Sequence, residues 1–306
     1  MSPLSIAAVF FLLVLPALYV GTAALATTPR IKAINILPPF VDSGERAAHH
    51  PSARPRIAVV VSVLIGMTVI LCSMAVLVYW LPVIIDDFMY FATILLVGDL
   101  IGRLLAPARL LDATPVGLGR RLLNLGRYFV GFAVAWVVVG LVSDWSNWLS
   151  LGVIALACAA SAMLSFSRIS ARLLALVSVA LVCYDAIHVF GTGLMQVVAD
   201  QAYATSQQEG AIVIGMVNIP SALDLAAPTS VAIGLGDIVT PGLWVMVAAL
   251  TTQHPNTVMF TTIVGIMIGW IACLTVSELG YLYLPALIFL MPGSMAGYYI
   301  GNRLHA

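Results

Sequence analysis

The sequence predicts an all-α, polytopic membrane protein of nine transmembrane helices, and three observations carry that prediction. Of 306 residues, 62% are apolar and only 8% are charged, against roughly a quarter charged in a soluble domain. Mean hydropathy is +1.08. Apolar runs of about 20 residues, the length that crosses a hydrocarbon core, recur along the chain. They lack the alternation of barrel strands, so their backbone amides must bond within each segment as helices.

The first run covers 4–26. Ala24-Leu25-Ala26 resembles a signal cleavage site, yet no basic flank precedes it and the run exceeds the ~7–15 residues of a signal core, so it reads as a retained span. Runs at 57–80, 86–105, 122–142 and 147–166 complete an amino-terminal five-helix part, residues 1–166. Runs at 173–198, 229–250, 257–276 and 280–300 form a second part, residues 167–306, which holds the residues suited to catalysis.

Charge orients these spans. All thirteen Lys and Arg fall on one side: Arg30, Lys32, Arg46, Arg54, Arg56, Arg103, Arg109, Arg120, Arg121, Arg127, Arg168, Arg172 and Arg303. The opposite side carries Asp86, Asp87, Asp144, Asp200, Glu209, Asp224 and Glu278 without a base. By the positive-inside rule the amino terminus lies outside and the carboxyl terminus in the cytosol. Dropping one span would scatter the cations over both faces, so the asymmetry also supports the count. Net charge is zero and no basic cluster is interleaved with aromatics, which argues against nucleic acid as a partner. Cys72, Cys158, Cys183 and Cys273 lie inside spans without CxxC spacing, so they read as small core residues; no metal or other cofactor is expected.

Three acids remain within the spans, and intramembrane carboxylates are functional candidates by default. Asp99 precedes Arg103 by four residues, the spacing of a helical ion pair, and reads as structural. Asp185 lies thirteen residues beyond Arg172, and Asp237 lies thirteen residues before Leu250. At about 1.5 Å per residue both sit roughly 20 Å from the cytosolic face, so antiparallel helices can bring them together. Two close carboxyls in a low dielectric share one proton, leaving one base to activate water and one acid to polarise a carbonyl. Gly234 and Gly236 flank Asp237 and are expected to let backbone approach closely, while Pro241 breaks the helix ladder one turn later.

These motifs carry a resemblance. Tyr184-Asp185 followed by Val189-Phe190-Gly191-Thr192, then Gly234-Leu235-Gly236-Asp237, then Pro285-Ala286-Leu287, resembles the presenilin and signal peptide peptidase family of intramembrane aspartyl proteases. The resemblance is strongest over the carboxyl-terminal half. It implies that Asp185 and Asp237 are catalytic and that Pro285, Ala286 and Leu287 lie beside them, with Tyr184, Gly234, Leu235 and Gly236 in support. The outside amino terminus and the short connection between the sixth and seventh spans resemble the signal peptide peptidase branch. That branch implies cleavage of transmembrane peptides such as signal peptides and type II anchors. Endoplasmic-reticulum residence, or plasma membrane in a prokaryote, rests on the same resemblance, with membrane lipid as surroundings and homo-oligomerisation left open. His188 stands where an aromatic residue is expected; it either hydrogen-bonds the acids and tunes their pKa or bonds a neighbouring helix.

Residues 212–219 precede Pro220 and are rich in β-branched side chains, which suits an extended segment able to pair with an unwound substrate. A short interfacial helix is the competing reading. Two other function classes compete with a protease. An ion-coupled transporter also uses midplane acids, but the chain lacks repeated halves. A degradation adaptor without catalysis would have no need of both aspartates.

Overall fold

A computed structural model describes residues 13–28, 61, 65–66, 68–69, 82–105, 118–143, 148–166, 169–191, 193, 216–220, 229–278 and 284–304. Its elements are α1 (Leu15–Thr27), α2 (Pro82–Leu105), α3 (Leu118–Ser143), α4 (Trp148–Ser165) and α5 (Ala171–Ala186), which runs into a π-helical turn at Ile187–Gly191. Then come β1 (Met216–Pro220), β2 (Thr229–Gly234), α6 (Leu235–Thr251), α7 (Pro255–Glu278) and α8 (Leu287–Arg303). The expected span at 57–80 lies largely outside the described residues. Ala171–Gly191 and Pro255–Val276 are long and apolar enough to cross a bilayer, and α1, α6, Phe129–Leu141 and Val153–Ser165 are shorter apolar helices. On α3, Phe129, Trp136, Val137 and Leu141 are 61–66% exposed. Such a surface invites aggregation in water but matches lipid tails.

One expected span needs correction. The run at 229–250 is not helical throughout: Thr229–Gly234 is a strand, antiparallel to β1 with Val217 opposite Ile233 and Asn218 opposite Ala232. Its β-branched residues suit an extended backbone, and the ladder bonds supply what helix bonds would have. The extended reading of the preceding segment therefore holds for 216–219; 212–215 lie outside the described residues.

The chain divides into two compact units. The first takes in residues 1–36, 86–165 and 205–239. Here α4 packs on α1, α3 and β1, around buried Val97, Ala135, Ile154 and Cys158, with Leu235 against them. Close approach of α2 and α3 needs glycine: a Cβ on Gly131 would lie 2.7 Å from the Gly98 carbonyl oxygen. The expected ion pair is present, with Arg103 Nε donating to Asp99 Oδ2 at 2.8 Å. Ser161 Oγ donates to the same oxygen at 2.9 Å, and Arg103 Nη2 donates to Ser165 Oγ at 3.1 Å. Asp99 is thereby held between α2 and α4 as a structural group, as its spacing suggested.

The second unit takes in residues 37–85, 166–204 and 240–306. Ser170 caps α5, its Oγ accepting from the Leu173 amide at 3.3 Å. Trp244 is fully buried, donates from Nε1 to Ser178 Oγ at 3.0 Å and meets the Tyr298 ring at 5.2 Å. Helices α7 and α8 come into backbone contact. A Cβ on Gly265 would collide with the Gly293 carbonyl, and one on Gly297 with the Thr261 carbonyl. Small residues let the two backbones touch, which is how helices associate where lipid offers no hydrophobic drive. Of the cysteines, Cys158 and Cys273 are buried as expected, whereas Cys183 is exposed; Cys72 lies outside the described residues.

Because that seam has no room for a side chain, Gly297→Leu should destabilise the second unit by about 1–3 kcal/mol, the cost of overpacking. Thermal unfolding in detergent checks this, with Gly21→Leu, a position with nothing within 4 Å of the added Cβ, expected to change little.

Candidate active site

Asp185 closes the last turn of α5. Beyond it the backbone widens into the π turn Ile187–Gly191, a feature often found at functional sites. Tyr184 is partly buried on the same helix. The His188 backbone belongs to the π turn; its side chain, and with it any tuning of the acids, lies outside the described residues.

The Pro-Ala-Leu segment meets Asp185 within the second unit. Pro285, Ala286 and Leu287 are all buried. Pro285 and Ala286 accept the first helix bonds of α8 through their carbonyls, from Ile288 at 3.1 Å and from Phe289 and Leu290 at 3.0 Å. The amides of a helix's first turn have no partner inside it. That of Leu287 donates to the Asp185 carboxylate. The other oxygen, Asp185 Oδ2, is buried without a hydrogen-bond partner among the described residues.

Asp237 is built differently, within the first unit. β2 ends at Gly234 and α6 begins at Leu235, so Asp237 stands in the helix's first turn, where an acid suits the positive end of the dipole. The two glycines have separate roles, which corrects the expectation of close backbone approach. A Cβ on Gly234 would meet Asp237's own Oδ2 at 3.0 Å, so this glycine clears space for the carboxylate. Gly236 is exposed and has nothing within 4 Å of an added Cβ. Leu235 anchors the helix start against the core of its unit. Ile238 is fully buried, and its carbonyl accepts from the Tyr19 hydroxyl at 3.0 Å. Pro241 lies inside α6.

Tyr19, Ser178 and Trp244 escaped sequence reasoning. A tyrosine or serine inside an apolar run is a weak signal that a polar partner exists, but nothing local names the partner. Among the described residues no group of three His, Cys, Asp or Glu is placed to hold a metal ion.

The profile of the signal peptide peptidase family matches residues 8–300, nearly the whole chain. The chain belongs to the signal peptide peptidase family. A solved presenilin family intramembrane aspartate protease shares its fold, with TM-score 0.55 and 16% identity over 96% of this chain and 98% of that one. Among curated proteins none matches it. Membership of that family indicates an intramembrane aspartic protease, and the solved neighbour adds the fold alone. Both acid-bearing motifs and the Pro-Ala-Leu segment fall inside the matched residues.

Gly234→Val should push a branched side chain into the Asp237 carboxylate and lower peptide turnover by about 10²-fold, the effect of roughly an ångström of misplacement. Turnover per folded molecule measures it, with Gly234→Ala expected to lose less.

Proposed function

We propose that this chain is an intramembrane aspartic endopeptidase that hydrolyses peptide bonds within transmembrane segments such as signal peptides and type II anchors, with Asp185 and Asp237 as its catalytic pair. One spacing carries the reading beyond family membership. The Trp244–Ser178 hydrogen bond ties α6 to α5 inside the second unit. Ser178 stands seven residues before Asp185 and Trp244 seven residues after Asp237. On the sequence expectation that these two spans run antiparallel, the equal spacing would set both acids at one depth, about 10.5 Å along each axis at 1.5 Å per residue.

A carboxyl pair at that depth holds one proton. The ionised partner takes a proton from water as its oxygen attacks the scissile carbonyl carbon, and the protonated partner donates to the carbonyl oxygen. The carboxyl that took the water proton then gives it to the amide nitrogen while its partner recovers a proton from the diol, so the C–N bond breaks into a carboxyl and an amine terminus with one proton again on the pair. The Leu287 amide orients the Asp185 carboxylate throughout. A helical substrate hides its carbonyls, so it must unwind before attack. β2 runs directly into the helix bearing Asp237, and a strand added to the β1–β2 sheet would deliver an extended peptide toward that acid.

The remaining assignments belong to the same proposal. The chain crosses the membrane nine times with its amino terminus outside, residues 167–306 form the catalytic part, and the endoplasmic-reticulum membrane, or the plasma membrane of a prokaryote, is its site. Tyr184, Gly234, Leu235, Gly236, Pro285, Ala286 and Leu287 support the two acids.

Purified protein in detergent should cleave a signal-anchor peptide, whereas Asp185→Ala and Asp237→Ala should each lose at least about 10³-fold, as expected when members of one catalytic unit are removed. Robust cleavage by either variant sinks the pair. Val217→Pro, placed opposite Ile233 in the sheet, should slow cleavage about tenfold if strand pairing presents the substrate; full activity disposes of that part alone.

A further inference from the structure

We propose that Tyr19 is a positioning residue for Asp237: its hydroxyl, donated to the Ile238 carbonyl, clamps the first turn of α6 and so sets where the acid stands. The proposal rests on the reading of Asp237 as catalytic.

The turn carrying Asp237 stands between irregular backbone on both sides. It begins directly from a strand, contains Gly236, and meets Pro241 one turn later. Proline has no amide to offer the carbonyl four residues earlier, here that of Asp237, and its ring crowds that carbonyl. The next carbonyl, Ile238, accepts a hydrogen bond from outside the helix, from a side chain 219 residues away in sequence.

The donor is held firmly. Tyr19 is 1% exposed on α1, which packs on α4. Leu235, at the start of α6, packs on the cluster that includes Ile154 and Cys158 of the same α4. Tyr19 and the helix start therefore share one support. The other buried polar side chain of α1, Thr22, donates to Leu18 within its own helix at 2.7 Å, so it links nothing across. Asp237 also lies within electrostatic reach of the Tyr19 hydroxyl. Loss of that hydroxyl leaves the shape of the side chain intact but frees the turn to shift, and the carboxylate one residue away shifts with it.

Tyr19→Phe should lower kcat for a signal-anchor peptide by about ten- to hundredfold, in the range of geometric misplacement, with KM and the thermal midpoint unchanged. Thr22→Val, on the same buried face, should keep parental kcat. The carboxyl band of Asp237 in infrared spectra, assigned by its loss in Asp237→Asn, should move in Tyr19→Phe. Difluorotyrosine at position 19 keeps ring and hydroxyl, alters only the donated bond, and should move the same band. Unchanged kcat in Tyr19→Phe, a band indifferent to fluorination, or a Tyr19→Phe protein that no longer folds overturns the proposal. An Asp237→Asn protein that still cleaves would instead sink the catalytic reading on which it rests.

Discussion

Inside a bilayer no water is available to a backbone amide or carbonyl, so chain that leaves the helix must find other partners. The described part of this protein leaves it in few places, and they gather at the two candidate acids. Next to Asp237 the chain is a strand, then a helix start, then a proline. Next to Asp185 it is a π turn, and the segment reaching that acid is the start of another helix. The polar backbone groups at these places have uses: ladder bonds between β1 and β2, the Leu287 amide on Asp185, the Ile238 carbonyl accepting from Tyr19. The irregular backbone and the acids belong to the same design problem, because a carboxyl in lipid also needs polar company.

Rigid elements behind each acid keep that company in place. In the second unit the amide that meets Asp185 begins α8, and α8 is fixed to α7 by backbones in contact along Gly265, Gly269, Gly293 and Gly297. Such a seam has little freedom, so the Leu287 amide is presented by a stiff pair rather than a loose loop. In the first unit the support is a packed cluster of α2, α3 and α4, stitched further by the Asp99–Arg103 pair and two serines. That partly buried ion pair is further hydrogen-bonded at its shared oxygen by Ser161, the condition under which a charge tolerates burial. Catalytic geometry benefits from this kind of support, since a site held to within a fraction of an ångström keeps most of its rate.

How much of this was legible beforehand depended on the range of the signal. Hydropathy marked the helices because each span is a local property of about 20 residues. The Asp99–Arg103 pair was legible from a four-residue spacing, and the candidate acids from their cost in lipid together with the motifs around them. The strand at Thr229–Gly234 was not, since a short apolar run reads alike as buried strand or buried helix. The glycines of Gly-Leu-Gly-Asp stand out in the sequence, yet one clears room for the neighbouring carboxylate and the other faces open space, a distinction no spacing reveals.

Sequence alone determined that the chain is a helical membrane protein of the signal peptide peptidase type, because composition, apolar run length and short motifs are written in consecutive residues. Tertiary structure alone decided which atom of the Pro-Ala-Leu segment meets Asp185, the Leu287 amide 102 positions on, and that a tyrosine 219 positions before Ile238 bonds the turn of Asp237. Such partners leave no local periodicity, for they are chosen by which helices pack together and by where a helix start has a bond to give.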